Sequence, residues 1–323
     1  MMRRLLAAAA LAAALLAPLA SRAQDFPAKE IRFVCGFAPG GTCDLLSRMM
    51  AEHLGPIFGQ RVVVENRTGA SGNIAADLVA KAPPDGHTVL LATMALYTVM
   101  PQMPGMALPF DVDRDLTPIS NLANITNVLV VSPNGPIRDV AQLVAMARAE
   151  PGRLTYASAG NGGSQHLAAE MFKRMARVDL LHVPYRGGAP AIVDIAAGRT
   201  DMMFGNLPEF IGQIRGGGLR VIAYGAPDPS PLYPELPAIS ATVPGFAVPN
   251  WFGVAGPGNL PKPVLDRWVA AVRQVNADPV FQRRLTENGM TSLIQGPDAL
   301  RADIARDRLR WGEVIREAGI RAD

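Results

Sequence analysis

The chain has little of what most catalytic and metal-binding sites require. Its 323 residues include two cysteines and four histidines, and aromatic residues make up only 6%. The histidines show no HExxH or similar spacing, and two cysteines are too few for a structural zinc site. A Walker motif, a GxGxxG pattern and a GxSxG nucleophile elbow are also missing. We therefore expect no metal site, no cofactor and no catalytic residues.

Long runs of one charge are missing as well. Of the 31 Lys and Arg residues, Arg3, Arg4 and Arg22 lie in the first 23 residues, which contain no acid. The remainder therefore has 28 basic residues against 28 acidic ones. Without a run of Lys or Arg to follow a phosphate backbone, nucleic acid is not an expected partner.

The first 23 residues are typical of a secretory signal peptide. Arg3 and Arg4 precede an Ala/Leu run that extends to about Leu19, and Ser21 and Ala23 fit the small-residue cleavage rule. The run is short and rich in alanine for a permanent membrane span, although an N-terminal membrane anchor is the alternative. We expect cleavage after Ala23 and an exported, periplasmic protein.

Cys35 and Cys43 would then lie in a compartment where disulfides persist. They can pair across the eight-residue separation, or both can remain reduced as small buried residues. Cys35 belongs to a predicted strand and Cys43 to the first turn of a predicted helix, so their side chains need not face each other. We favour two free, buried thiols.

Predicted strands and helices alternate along the chain. Strands are predicted at 30–36, 61–66 and 88–93, and the first intervening helix should end at Gly55 and Pro56. After residue 124 a second series has strands at 127–132, 153–159 and 178–185, followed by two more in DMMFGN and RVIAYG. The alternation predicts an α/β fold with parallel sheets, whose strand-to-helix loops share one edge.

The C-terminal part of the chain has one extended run, at 251–257, and helices at 263–275, 279–288 and 298–318. Because these helices have no partner strands, we expect the chain to return to the first domain. The predicted organisation is one discontinuous domain of residues 24–124 plus 249–323, and a second domain of residues 125–248. Two crossings near residues 124 and 248 would join them and leave a ligand cleft between.

Glycine pairs at helix starts indicate the chemistry of that cleft. In FAPGGTCD, Gly40 and Gly41 lie between a strand and a helix, so no Cβ blocks approach to the unpaired amides of the helix. Such amides suit a carboxylate. The arrangement recurs in GNGGSQH, where Ser164 adds a hydroxyl and could cap its helix. Ser164 and His166 would face different directions, which argues against a catalytic pair.

Five motifs resemble the Bug family, the periplasmic solute-binding proteins of tripartite tricarboxylate transporters. They are FAPGGTCD, ENRTGASGNIAADLVAKAPPDGHTVLLAT, PGRLTYASAGNGGSQHLAAEMF, HVPYRGGAPAIVDIAAGRTDMMF and WGEVIREAGI. The resemblance runs in order from Phe26 to the C-terminus. It implies a type II periplasmic-binding-protein fold, no catalysis, and delivery of a small organic carboxylate to a two-component membrane permease. We expect a monomer. A secreted hydrolase that uses the cleft and a ligand sensor for a signalling partner are the alternatives.

The resemblance also implies that loop amides, hydroxyl groups and ordered water hold the ligand's carboxylate. The residues at matching motif positions are Phe37, Gly40, Gly41, Thr42, Asp44, Thr93, Asn161, Gly162, Ser164, Tyr185, Gly187, Gly188 and Ala189. The chain departs from the family at Gly163, where a hydroxyl residue is common, and in the apolar segment MALYTVMP. The residues of interest in that segment are Met94, Leu96, Tyr97 and Met100. They would either line the pocket and favour an aromatic or alkyl acid over citrate, or belong to the core.

Two charged side chains near these loops have more than one interpretation. Asp44 would repel a carboxylate, and could either bond its own helix amides and position the glycine loop or accept a hydrogen bond from a ligand or a bound water. Arg186 could lend positive charge to the cleft or be an ordinary surface residue.

Overall fold

A computed structural model describes residues 26–322 apart from residues 186, 227, 229, 231 and 294. The predicted signal peptide and Arg186 therefore lie outside the described residues. Within the described ranges, no helix has the length and apolar character needed to cross a membrane.

The chain forms two sheets. The strands are β1 Ile31–Cys35, β2 Val62–Asn66, β3 Thr88–Thr93, β4 Leu116–Ile125, β5 Asn127–Val131, β6 Thr155–Ser158, β7 Leu181–Pro184, β8 Met202–Asn206, β9 Arg220–Tyr224, β10 Trp251–Pro257 and β11 Met290–Ser292. The order in the first sheet is β11-β4-β10-β3-β1-β2, and in the second β7-β6-β8-β5-β9. Each sheet and the helices around it are called the first unit and the second unit below.

Helices follow most of the strands. They are α1 Thr42–Phe58, α2 Asn73–Ala80, α3 Met94–Thr98, α4 Val140–Ala149, α5 Ser164–Ala176, α6 Gly188–Ala196, α7 Leu207–Arg215, α8 Lys262–Ala277, α9 Pro279–Glu287 and α10 Pro297–Ala318. The predicted return of the chain is observed, because β10 inserts between β3 and β4 and the last helices pack around the first sheet.

The sheets are mixed rather than parallel, so that part of the prediction is wrong. β1 is parallel to β2 and β3, but β10 is antiparallel to both β3 and β4. The connection explains this, since β4 leads into the second unit, β10 leads back from it, and the two strands pair where they cross. Ile125 N–H donates to Asn250 O at 2.9 Å at this crossing. In the second sheet β5 is likewise antiparallel to β8 and β9.

The first helix also ends later than predicted. α1 continues through Gly55 and Pro56 to Phe58, and Gly59 closes it in the left-handed conformation. Proline costs one backbone hydrogen bond near the helix end. The extra turn buries Phe58, whose ring lies 4.8 Å from that of Trp268, and this burial of an aromatic side chain offsets the cost.

The expectation of free thiols is wrong, because Cys35 and Cys43 form a disulfide. Their Cα atoms are 6.1 Å apart, which is within the usual range for a disulfide. The loop between them turns back sharply at Gly40, where φ is +85°, and so places the start of α1 beside the end of β1. The disulfide depends on this turn, which could not be predicted from the strand and helix patterns of the sequence.

Candidate functional site

The first candidate loop connects β1 to α1. Gly40 N–H donates to Asp44 Oδ2 at 3.0 Å, and Gly41 N–H donates to Ala38 O at 3.4 Å. The amides of the two glycines therefore stabilise the loop itself. In the first turn of α1 the amides of Thr42, Cys43 and Asp44 have no acceptor among the described residues, as expected for a helix N-terminus. These are the donors that the loop offers to an anion.

Asp44 positions this loop, as part of its first interpretation predicts, but it bonds to the loop amide of Gly40 rather than to the amides of its own helix. Its buried carboxylate accepts from Gly40 N–H and, at 2.9 Å, from Arg48 Nε. Burial opposes ionisation of Asp44, but the Arg48 guanidinium and the Gly40 amide outweigh it and lower the pKa. Since Arg48 is mostly exposed, it neutralises Asp44 from the solvent side.

The second and third loops of the first unit meet the first at a small cavity of about 10 Å³, which is close to the volume that one water needs. Phe37, Ser71, Gly72, Thr93 and Leu96 are among its lining residues. Thr93 Oγ1 caps α3 by accepting from Leu96 N–H at 3.3 Å, so its own hydroxyl proton can still be donated. A larger cavity of about 510 Å³, lined by residues within 100–114, contains none of the predicted contacts.

The close fit of these loops depends on glycine. A Cβ on Gly36 would lie 2.6 Å from Gly72 Cα, so only glycine permits the first two loops to approach this closely. Beside them Ser71 is held at φ +55°, an uncommon backbone conformation for a residue with a side chain. Ser71 was not among the predicted contacts.

The apolar segment after Thr93 divides between cavity and core. Leu96 lines the small cavity. Met94, Tyr97 and Met100 are buried in the main hydrophobic cluster, at most 2% exposed. Of the four side chains, Leu96 therefore lines the small cavity and Met100 also lines the larger one, which is away from the predicted contacts.

The second unit contributes the loop between β6 and α5. Gly163 is the N-cap of α5 and Ser164 is the first helical residue, so the idea that Ser164 caps the helix is wrong. Gly162, at φ +72°, donates its N–H to His166 Nδ1 at 3.1 Å. Across the cleft, Ser71 Oγ lies 3.5 Å from Asn161 O. This loop therefore lies against the first unit.

The loop between β7 and α6 brings Gly187, Gly188 and Ala189 to the start of a third helix, with Gly187 as the N-cap. Tyr185 is committed within its own unit, because its hydroxyl donates to Asp194 Oδ2 at 2.8 Å. Burial and this bond raise the pKa of Tyr185. The main-chain amides of Gly188 and Ala189 are the groups that this loop offers to a ligand.

Glu209, in the first turn of α7, lies where these loops meet and was missed by sequence reasoning. Its Oε1 accepts from Thr42 Oγ1 and Asn206 Nδ2, and its Oε2 from Gln165 Nε2, each at 3.1 Å. A Cβ on Gly188 would lie 3.6 Å from Oε2. Burial raises the pKa of Glu209 above its ordinary value, and the three hydrogen bonds only partly oppose this.

The family follows from a comparison with known proteins. Residues 46–320 match the model described as "Tripartite tricarboxylate transporter family receptor". The chain belongs to this family. Two relatives of this receptor are a protein encoded in the tcbD-tcbE intergenic region of Pseudomonas sp. (strain P51) and protein BugT of Bordetella pertussis. The first is 38% identical, covering 99% of this chain and 96% of the relative; the second is 34% identical, covering 92% and 91%.

Solved receptor structures share the fold. One, titled "R. palustris Rpa4515 with adipate", has a TM-score of 0.88 and 32% identity, covering 92% of this chain and 99% of that one. Another, MatC from Rhodopseudomonas palustris with bound malate, has a TM-score of 0.83 and 27% identity, covering 90% and 100%. The predicted Bug-type membership and the fold class of two α/β units joined by two crossings are confirmed. The tripartite tricarboxylate transporter receptors are periplasmic solute-binding proteins.

A sequence signal for Glu209 existed in this receptor. FGNLPEF places an acid three residues after the end of a strand, and β8 is parallel to β6. The strand-to-helix loops of parallel neighbours share one sheet edge, so this acid belongs with the predicted contacts at 160–164.

Proposed function

We propose that this receptor captures a small organic carboxylate between its two units and delivers it to a two-component membrane permease of the tripartite tricarboxylate type. One observation carries the proposal: the N-termini of α1, α5 and α6 converge around Glu209. Their main-chain amides at 42–44, 164–165 and 188–189 have no acceptor among the described residues. The two similar structures were solved with adipate and with bound malate, which are both carboxylates, and this supports the ligand class.

The ligand contacts that we propose are the amides at 42–44, 164–165 and 188–189 together with the hydroxyl group of Thr93. Phe37, which is 37% exposed beside the small cavity, would pack against the ligand's carbon chain. Gly40, Gly41 and Gly162 would act by holding the loops, because their amides bond within the protein. Asp44 would do so through Oδ2, and its buried Oδ1, which has no hydrogen-bond partner among the described residues, would be open to a ligand or a bound water. Asn161, Tyr185 and Gly187 would complete the walls of the cleft.

The remaining features of this proposal concern the whole chain. The mature protein would begin after Ala23, act as a monomer in the periplasm, and consist of domains 24–124 plus 249–323 and 125–248. It would not be an enzyme. Ser158 Oγ lies 2.7 Å from His182 Nε2, but Ser158 is fully buried and also bonds to Gly160, so this pair is unsuited to attack a substrate.

Calorimetric titration of the mature protein with mono-, di- and tricarboxylates tests the proposal, together with two substitutions at one position. Gly188 is the first residue of α6, where proline fits the backbone but removes the amide donor. Gly188→Pro should weaken carboxylate binding by about tenfold, the usual worth of one hydrogen bond to a charged group. Gly188→Ala keeps the amide and should bind nearly as wild type does. Absence of binding by the whole panel, or equal affinity of both variants, would contradict the proposal.

A further inference from the structure

Glu209 is a carboxylate placed in what should be an anion-binding cleft. The four lone-pair positions of a carboxylate exceed the three hydrogen bonds it accepts, so one acceptor position remains. All three donors are neutral, and in the described part of the chain no Lys, Arg or His forms an ion pair with Glu209. Glu209 is half-buried.

The contacts of Glu209 connect both units to the chain crossing. Thr42 Oγ1 reaches it from the first unit. Asn206 donates to it from the second, and the same Asn206 side chain accepts from Asn250 Nδ2 at 2.8 Å, beside the return strand β10. A ligand group that bonds to Glu209 would therefore contact a side chain that is hydrogen-bonded to both units and, through Asn206, to the chain crossing.

Charge decides which ligand group fits there. In its ionised form Glu209 accepts hydrogen bonds and donates none, so it would attract a hydroxyl or ammonium group and repel a second carboxylate. The amides at 42–44, 164–165 and 188–189, which have no acceptor in the described part of the chain, remain available for the ligand's own carboxylate. The cleft thus presents donors to one end of a ligand and an acceptor to another.

We propose that Glu209 makes this receptor select carboxylic acids that also carry a hydrogen-bond donor, either hydroxyl or ammonium, over acids with a second carboxylate at that position. The proposal rests on the function proposed above, because it concerns the same cleft. It adds the second recognition element and the class of ligand that satisfies it.

A set of four-carbon acids tests the proposal by calorimetric titration of the mature protein at pH 7 and at pH 8.5, because the preference requires the ionised form of Glu209 and burial raises its pKa. The probes are butyrate, its 2-, 3- and 4-hydroxy derivatives, the matching amino acids, and succinate. The best hydroxy or amino derivative should bind about tenfold or more tightly than butyrate, as expected for a hydrogen bond to an ionised acceptor, and succinate should be the weakest. Preference for the hydroxy or for the amino series identifies the donor.

Substitution of Glu209 separates selectivity from support of the fold. Glu209→Gln keeps the shape but removes the charge, so the preference for the donor-bearing acid should fall by about tenfold and succinate should bind more tightly than to wild type. Glu170→Gln is the matched control, because this acid of the same unit bonds to Tyr156 and Lys173, away from the cleft contacts. It should keep the wild-type order.

The outcomes distinguish the two proposals. If none of these acids or the wider carboxylate panel binds, the function itself is wrong. If they bind but wild type shows no preference for a donor, or if Glu209→Gln weakens all acids equally, Glu209 is only a structural contact and the selectivity proposal is overturned.

Discussion

Two acids lie at the cleft, and their surroundings act on them in opposite directions. Asp44 has an arginine and a backbone amide as partners, and its pKa is lowered although burial opposes this. Burial dominates at Glu209, which has three neutral donors, and its pKa is raised. The sequence shows both as acids in a first helical turn. The structure distinguishes the two acids, because Arg48 lies beside Asp44 whereas Glu209 lies where separate loops converge.

The contribution of Glu209 to the stability of the protein should fall as pH rises. Because its pKa in the folded protein is above the ordinary 4.5, its contribution to stability is complete below pH 4.5 and is lost as pH rises through the folded value. Glu209→Gln lacks this dependence. The melting temperature of the variant should therefore rise relative to that of wild type as pH increases above 4.5. Thermal melts of both proteins from pH 4.5 to 8 measure this, and a constant difference would show that Glu209 does not titrate in that range.

Asp44 should behave in the opposite way. Its lowered pKa means that its stabilisation is present above the ordinary value of 3.8 and is lost as pH falls through the folded value. Asp44→Asn should cost about 1.5–3 kcal/mol at pH 7, since it removes charged hydrogen bonds to Gly40 and Arg48. Urea unfolding measures the loss. Asp298→Asn, at a surface pair in which Asp298 is fully exposed beside Arg301, is the control and should change the free energy of unfolding little.

At the scale of elements, the disulfide closes the loop that carries the first set of amide donors. A cross-link over so short a loop stabilises by about 2–3 kcal/mol through the entropy of the unfolded chain. Urea unfolding with and without dithiothreitol should show a difference of this size. Cys35→Ala/Cys43→Ala should be insensitive to the reductant. Two reactive thiols in the denatured, unreduced protein would mean that the bridge does not form.

Elements with a strong local pattern could be predicted, and elements defined by distant partners could not. β1, β2 and β3 are short apolar runs between turn signals, and all three were found within a residue of their observed bounds. β4 was missed, because Pro118 and several polar residues interrupt its pattern; its stability comes from pairing with β10 and β11. The loops of the candidate site were predicted correctly at strand ends. Their contacts across the cleft could not be predicted, because these contacts depend on how the two units pack together.

At the scale of the whole molecule, several described contacts join the units, among them the Arg174–Glu317 ion pair and three contacts near the candidate site. Thr42 bonds to Glu209, Ser71 to Asn161, and Met103 packs near Gly162. The hydrophobic cluster that contains Trp251 and Phe204 also continues from one unit into the other. The arrangement is therefore held together by a continuous core on one side and by a few polar contacts at the cleft, which is the distribution expected of a molecule that opens about its crossings.

Thr42→Val tests whether the cleft contact favours the closed arrangement. The substitution keeps the shape but removes the hydroxyl that reaches Glu209 from the first unit. A lost hydrogen bond to a carboxylate is worth about 1.5–3 kcal/mol, so the closed form should become less populated and a bound carboxylate should dissociate roughly ten times faster, with little change in the association rate. Stopped-flow fluorescence measures both rates, and small-angle X-ray scattering should give a larger radius of gyration for the variant.

Thr117→Val is the control, because it removes a hydroxyl that bonds to Pro257 within the first sheet. It should change neither the dissociation rate nor the radius of gyration. Equal dissociation rates for wild type and Thr42→Val would mean that the contact forms without stabilising closure, and the hold on the ligand would then come from the helix amides alone.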